Sequence, residues 1–148
     1  MLKTLRTLTV SERALLMRAL PLVLAVRVAL WILPSRSIVR KVQRMAAGTA
    51  TARSPARSPG EIVWAVEAVA RRVPRASCLT QAVSAQYLLR RHGHRSELRV
   101  GVARGDTGFR AHAWVEHAGR VLIGGEGSAA FTPLHGFAQA NRRAVAAE

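Results

Sequence analysis

The chain has 148 residues, a length typical of one domain, and 49% of them are apolar, enough for a modest core. Lys and Arg number 23 against eight acidic residues, which gives a formal net charge of +15. This balance excludes a calcium-carboxylate protein and permits an anionic partner such as nucleic acid, a membrane surface or an acidic protein. The single cysteine allows no intramolecular disulfide, so we expect a reducing, cytoplasmic compartment.

The front of the chain is more basic than the rest. Residues 1–60 hold eleven Lys and Arg and one acidic residue, whereas residues 61–148 hold twelve Lys and Arg and seven acidic residues. Thr9 and Glu12 form a capping-box pattern that predicts a helix start, and an apolar stretch then runs from residue 14 to residue 33. Arg18 and Arg27 interrupt it, and each costs roughly 2.5–3.5 kcal/mol near a bilayer centre. A membrane-spanning helix is therefore not favoured.

Two interpretations of this front segment stay open. It is a helical layer, kinked near Pro21, that packs on the domain or on a partner protein, or it is a basic helix that lies on an anionic membrane. The second interpretation makes the protein a peripheral membrane protein of the cytoplasm. Nucleic acid is not expected as a partner, because Trp31 is the only aromatic residue before Trp64 and base stacking has little to use.

A linker is predicted over residues 46–60, which are small, polar and proline-bearing and contain two Arg-Ser-Pro repeats. We therefore divide the chain into residues 1–57, an N-terminal helical segment with its linker, and residues 58–148, a globular domain.

Two helices open the globular part. Ser58 and Glu61 form a second capping box, and the helix that they begin ends at Pro74. The next helix begins at Ser77 and ends before Gly93, the expected glycine after a helix end.

Three antiparallel strands follow the second of these helices. Apolar residues alternate at Leu98, Val100 and Val102, then from residue 109 to residue 116, and a third segment returns at 121–123 after an Ala-Gly turn. The predicted fold class is α+β, with helices packed on a small antiparallel sheet.

Cys78 falls in the first turn of the second of these helices. The amino end of a helix carries partial positive charge and unpaired N–H groups, which stabilise a thiolate and lower its pKa from ~8.5 toward the range 3.5–7.5. The same N–H groups stabilise an oxyanion during acyl transfer. Cysteine is also among the most commonly buried residues, so an inert core role is the alternative.

His112 is the best candidate for a base that serves this thiol. It follows Cys78 in the chain, lies on a predicted strand and has small neighbours, which fits the Cys–His arrangement of nucleophilic catalysis. The imidazole accepts the thiol proton, and a third group must orient the ring. A strand histidine with a purely structural role is the alternative.

These residues resemble a known family. The string Ser77-Cys78-Leu79-x-Gln81-Ala82, followed by Ala111-His112-Ala113-Trp114-Val115-Glu116, is similar to the transglutaminase-like cysteine proteases that act as leader peptidases in lasso peptide maturation. The resemblance covers roughly residues 58–135. It implies a papain-like or transglutaminase-like α+β core and a Cys–His–acid triad. We expect no cofactor.

The resemblance also implies a pathway of bacterial natural-product biosynthesis. The substrate is a ribosomally made precursor, cleaved between leader and core. A separate small leader-binding protein, the recognition element of such pathways, presents the precursor, and an ATP-dependent macrocyclase acts next.

The third member of the triad departs from the family pattern. Family members place an aspartate about a dozen residues after the histidine, whereas residues 122–126 here contain only Glu126 as an acid. Glu126 is our candidate. Glu116, Asp106, or no acid at all, with a backbone carbonyl or water in its place, remain alternatives.

Gln81 and Trp114 are the candidate substrate-binding residues. Gln81 lies one turn after Cys78 and either contributes to an oxyanion hole or belongs to the helix surface. Trp114 either walls the substrate cleft or packs on the front helices.

The histidines at 92 and 94 do not indicate a metal site, because the chain offers too few further ligands. An acyltransferase with the same Cys–His site and a non-catalytic basic adaptor at a membrane are the alternative functions.

Overall fold

Four helices precede a four-stranded antiparallel sheet in the computed structural model, which describes residues 7–47 and 57–134. The helices are α1 (Val10–Ile32), α2 (Ser35–Ala47), α3 (Pro59–Ala70) and α4 (Cys78–Arg91). The strands are β1 (Glu97–Gly105), β2 (Gly108–His117), β3 (Arg120–Ile123) and β4 (Thr132–Pro133). The predicted α+β class is confirmed.

The helix ends follow the predicted capping residues. At the start of α1, Thr9 accepts a hydrogen bond from the Glu12 amide while the Glu12 carboxylate accepts one from the Thr9 amide. Ser58 and Glu61 form the same reciprocal pair at α3. Helix α1 continues through Pro21. Local side-chain chemistry therefore sets where α1 and α3 begin.

Helix α4 lies at the centre of the molecule and contacts the other three helices and strands β1 to β3. Its buried apolar residues share one core cluster with residues from α1, α2, α3 and the sheet. The members from α1 and α2 are Leu15, Ala19, Val23, Val26, Ile38 and Val39. The N-terminal helices are thus part of the core. The division of the chain at residue 57 stays a prediction. Of the linker predicted at 46–60, residues 46–47 belong instead to α2 and residues 59–60 to α3, and residues 48–56 lie outside the described residues.

The sheet has the order β3-β2-β1-β4, and its two faces differ in chemistry. Leu98 pairs with Val115 and Val100 pairs with Ala113, and these four residues belong to or pack on the helical core. Because side chains alternate along a strand, His112 and the residues that share its face lie on the opposite side. This confirms the predicted division of β2 into an apolar face and a face that carries His112, Trp114 and Glu116.

Strand β4 was not predicted. It pairs with β1 through Gly101 and Val102 and closes the edge of the sheet beside β1. A two-residue strand is too short to show alternation in sequence. Its consequence is that Phe131, directly before β4, returns to the sheet near His112.

Helix α1 is long and apolar enough to cross a membrane by length and composition alone. A core helix passes the same test, but only 22% of the most apolar window of α1 is buried. The buried residues Leu15, Ala19, Val23 and Val26 form one stripe against α3 and α4. The opposite face is therefore apolar and exposed.

The cap of α3 makes a testable contribution to stability in acid. Hydrogen bonds from the Ser58 amide and hydroxyl lower the pKa of the Glu61 carboxyl below its usual value. A folded-state pKa below the unfolded one contributes stability above the unfolded pKa, and this is lost as pH falls through the folded pKa. We expect the free energy of unfolding of Glu61→Gln to vary less with pH below about 4.3 than that of the wild type.

The measurement is urea denaturation at a series of pH values. Glutamine still reaches back to the Ser58 amide but does not titrate, so the variant isolates the charge. An unchanged pH dependence in Glu61→Gln would contradict the role of this carboxylate.

Candidate active site

A short loop after α3 delivers Cys78 to the start of α4. Arg75 in this loop has a φ of 58°, in the left-handed region, and turns the chain toward the new helix. Ser77 then caps α4, because its hydroxyl accepts a hydrogen bond from the Thr80 amide at 3.3 Å. Cys78 is the first residue of the helix, has a free thiol and is half-buried. The sulfur therefore lies at the positive end of the helix, as predicted.

The first amides of α4 are available for an oxyanion. The Gln81 amide donates a hydrogen bond to the Ser77 carbonyl at 3.1 Å, and the Thr80 amide donates one to the Ser77 hydroxyl. The amides of Cys78 and Leu79 have no acceptor among the described residues, as expected for the first positions of a helix. The half-buried Gln81 side chain makes no hydrogen bond within the described part of the chain. Its predicted oxyanion-hole role stays a prediction.

His112 is held by a backbone carbonyl. Its Nε2 atom lies 2.6 Å from the Gly124 oxygen. A carbonyl only accepts hydrogen bonds, so Nε2 carries the proton and donates. In the neutral ring, Nδ1 is then left with its lone pair, which is the form that a general base requires. The ring is thus oriented in a tautomer that can accept a thiol proton at Nδ1.

Gly124 reaches this position because it has no side chain. Its φ of +74° is in the left-handed region, and a Cβ atom there would lie 2.6 Å from the Ala113 oxygen and 3.1 Å from the Trp114 Cβ. Only glycine combines this backbone conformation with such a close approach to β2. The approach places the Gly124 carbonyl against the His112 ring.

Two aromatic side chains flank His112. The Trp114 ring lies nearly parallel to it at 6.0 Å between centroids, and the Phe131 ring lies at 5.1 Å. Gly101, which pairs with His112, leaves room for both, because a Cβ there would lie 2.9 Å from each of the two aromatic side chains. Trp114 is 4% exposed and lies outside the helical core cluster. It therefore packs beside the candidate base, and a role in substrate binding stays a prediction.

Sequence reasoning missed Phe131 and the roles of Gly101 and Gly124. The available signal was Gly101 itself, since a glycine inside an alternating strand often marks a close approach of another group. The contacts of Gly124 and Phe131 with His112 join residues that are 12 and 19 positions apart, and no local pattern reports them.

The three candidate acids differ in their surroundings. Glu116 accepts a hydrogen bond from Trp114 Nε1 at 2.9 Å and pairs with Arg99 at 3.3 Å, so both of its oxygens are engaged. Asp106 is exposed in the turn between β1 and β2. Glu126 is exposed, and the described residues show no hydrogen bond between it and His112. Its assignment as third triad member stays a prediction, and the hydrogen bond to the ring comes from Gly124.

Cys78 and His112 lie on elements that contact each other, since α4 packs on β2. The thiol lies with residues that pack on the helical core, and His112 belongs to the other face of the sheet. Within the described ranges no hydrogen bond joins the thiol to the imidazole. No group of three His, Cys, Asp or Glu side chains in these ranges is arranged to hold a metal ion.

A family model described as the transglutaminase-like superfamily matches residues 20–136. This is most of the chain and includes both Cys78 and His112. The chain belongs to the transglutaminase-like superfamily. No curated protein and no solved structure matches it. The match supports the predicted fold. Enzymes of this superfamily are generally cysteine proteases and transglutaminases, so the match also supports the broad class of thiol chemistry.

The close approach of Gly124 to β2 predicts that a side chain at this position changes the orientation of His112. We expect Gly124→Ala to lose about 2–5 kcal/mol of stability, because left-handed strain of roughly 1–2 kcal/mol adds to overpacking of roughly 1–3 kcal/mol. The new methyl also displaces the carbonyl from Nε2. Urea denaturation measures the stability, and the NMR shifts of the imidazole nitrogens measure the tautomer.

Gly127→Ala is the matched control. Gly127 has a φ of +75°, but nothing lies within 4 Å of a Cβ there. This variant should lose only the strain and keep the wild-type imidazole shifts. Equal effects of the two substitutions would show that the contact with Ala113 and Trp114 is unimportant.

Proposed function

We propose that this protein is a cysteine peptidase that removes the leader from a ribosomally made lasso peptide precursor. The observation that carries the proposal is a free, half-buried thiol at the start of α4, in a chain that also holds His112 in the tautomer of a base. The sequence strings around these two residues supply the resemblance to leader peptidases, and membership of the superfamily supports thiol chemistry on a peptide or amide.

The proposed reaction begins when Nδ1 of His112 takes the proton of the Cys78 thiol. The thiolate attacks the scissile carbonyl carbon, and the amides of Cys78 and Leu79 stabilise the resulting oxyanion. The imidazolium returns its proton to the leaving amine of the core peptide, and a thioester to the leader remains. Water, deprotonated by His112, then releases the leader as a carboxylate.

This reaction requires the thiol to approach Nδ1 when the substrate is bound. Because the thiol lies with the core residues and His112 belongs to the other face of the sheet, the reaction requires a rearrangement on substrate binding that brings the two side chains together. The Gly124 carbonyl keeps Nε2 occupied, so Nδ1 is the nitrogen left to accept the thiol proton.

The net charge of +15 supports an acidic substrate. We propose that an acidic leader is presented by a separate small leader-binding protein, and that an ATP-dependent macrocyclase takes the released core peptide in the cytoplasm. Genes for a short precursor, such a binding protein and a cyclase beside the gene for this chain would support this assignment.

The reactivity of Cys78 tests the Cys–His pair without any substrate. We expect iodoacetamide to alkylate the wild-type thiol at pH 6 at least about tenfold faster than it alkylates His112→Ala, because the imidazole and the helix amino end stabilise the thiolate. Mass spectrometry measures the rates, and Cys78→Ala gives the unlabelled baseline.

The control is His117→Ala, a histidine at the end of the same strand, which should react like the wild type. If the alkylation rate shows the Cys78 thiol titrating near pH 8.5 in both the wild type and His112→Ala, the thiol is not paired with the imidazole. The non-catalytic adaptor is then favoured instead.

Cleavage of the precursor tests the reaction itself. With the precursor and the leader-binding protein present, we expect Cys78→Ala to lower kcat by about a thousandfold or more while its circular dichroism stays unchanged. Added glycine methyl ester separates hydrolysis from acyl transfer. A free leader carboxylate supports a peptidase, whereas a leader amide shows an acyltransferase. Retained cleavage by Cys78→Ala would refute both the peptidase and the acyltransferase.

A further inference from the structure

The exposed face of α1 carries an apolar stripe that no other described residue covers. Met17, Leu20, Leu24, Val28 and Trp31 recur every three or four residues, so they lie along one side of the helix. Their side chains are 72%, 42%, 44%, 51% and 80% exposed. The core stripe of α1 lies on the other side of the helix. A continuous apolar surface of this kind on a soluble protein marks an interaction site.

The chemistry of the neighbouring helix indicates what covers this stripe. Helix α2 buries Ile38 and Val39 and exposes a basic face. Its members are Arg36, Arg40, Lys41 and Arg44, and α2 contains no acidic residue. Both helices pack inward on α4, so the apolar stripe and the basic face both point away from the core. Exposed apolar area, together with a basic face that has no ion pair among the described residues, matches the acyl boundary and the phosphates of an anionic bilayer.

The residue at the end of the stripe fits the same surface. Trp31 is the most exposed member, and Ile32 and Leu33 beside it are 70% and 51% exposed. The chain turns at Pro34 directly into the basic helix. Tryptophan favours the boundary between hydrocarbon and headgroups, because its ring is apolar and its N–H donates to polar groups.

We propose that α1 lies in the plane of an anionic membrane surface, with this stripe in the acyl boundary and the basic face of α2 on lipid phosphates. The core stripe argues against a spanning α1. It packs on α3 and α4 over the length from Leu15 to Val26, so a spanning α1 would draw exposed charges such as Arg71 and Arg72 at the end of α3 toward hydrocarbon. The proposal concerns location and is independent of the proposed peptidase reaction.

Flotation of the full chain with vesicles tests the proposal. We expect binding to vesicles of phosphatidylcholine mixed with phosphatidylglycerol, and at least about tenfold weaker binding to phosphatidylcholine alone, because each cation near the surface contributes about fivefold. Binding should also weaken in about 1 M salt, where the Debye length falls to about 3 Å. Brominated lipids should quench the fluorescence of Trp31.

Matched variants distinguish binding through the stripe and the basic face of α2 from nonspecific adhesion of any exposed apolar or basic side chain. Trp31→Ser and Leu24→Ser should each weaken binding by about tenfold or more, since a buried apolar side chain contributes roughly 1.5–3 kcal/mol. Phe109→Ser removes a side chain that is 79% exposed on the β1–β2 hairpin and should change nothing. Arg40→Gln with Lys41→Gln should weaken binding, whereas Arg110→Gln with Arg120→Gln should weaken it much less.

Three outcomes would overturn the proposal. Equal loss of binding in Phe109→Ser and Trp31→Ser would show nonspecific adhesion. Retention on membranes through alkaline carbonate would show a spanning helix. Absence from vesicles, together with a dimer that Trp31→Ser dissociates, would show that a second copy of the chain covers the stripe.

Discussion

Burial of α4 fixes where its amino end lies, and the position of Cys78 follows from it. Ala82, Val83, Ala85 and Leu89 are at most 1% exposed, and the helix contacts every other helix and three strands. A helix packed on so many sides cannot slide or rotate without opening cavities, each of which costs several kcal/mol. The thiol at its first position is therefore held by the whole core, while its own side chain stays half-buried.

The candidate base depends on a different constraint, the close approach of a glycine backbone to β2. Gly124 offers His112 a carbonyl at the position where superfamily resemblance leads one to expect a carboxylate. A carbonyl dipole fixes the tautomer as an anion does, but it stabilises an imidazolium less, because it carries only partial charge. In the proposed enzyme, more of the stabilisation of the thiolate–imidazolium pair must then come from the amino end of α4. This is consistent with the start of α4, where the amides of Cys78 and Leu79 have no acceptor in the part of the chain that the structure describes.

Local chemistry made much of this fold predictable. The reciprocal pairs of Thr9 with Glu12 and of Ser58 with Glu61 define helix starts within a few residues, and alternation along β2 separates the two faces of the sheet. The surroundings of His112 were not predictable, because Gly124 and Phe131 meet the ring through the path of the chain after β3. A backbone carbonyl leaves no mark in a sequence, so Glu126, the only acid in the right region, was the natural candidate.

The sequence left open whether the front helix packs on the domain or lies on an anionic membrane, and the structure shows that one side of it packs on the domain. Helix α1 is apolar on nearly all sides, and only the packing on α3 and α4 divides it into a core stripe and an exposed stripe. Arg18 and Arg27 are nine residues apart, half a turn out of phase, so they lie on opposite borders between the two stripes. On a spanning helix these arginines are a cost wherever they point. On a helix in the plane of a membrane they flank the immersed stripe, where their long side chains extend to the phosphates. The two residues that argue against a spanning helix are thus placed as an interfacial helix requires.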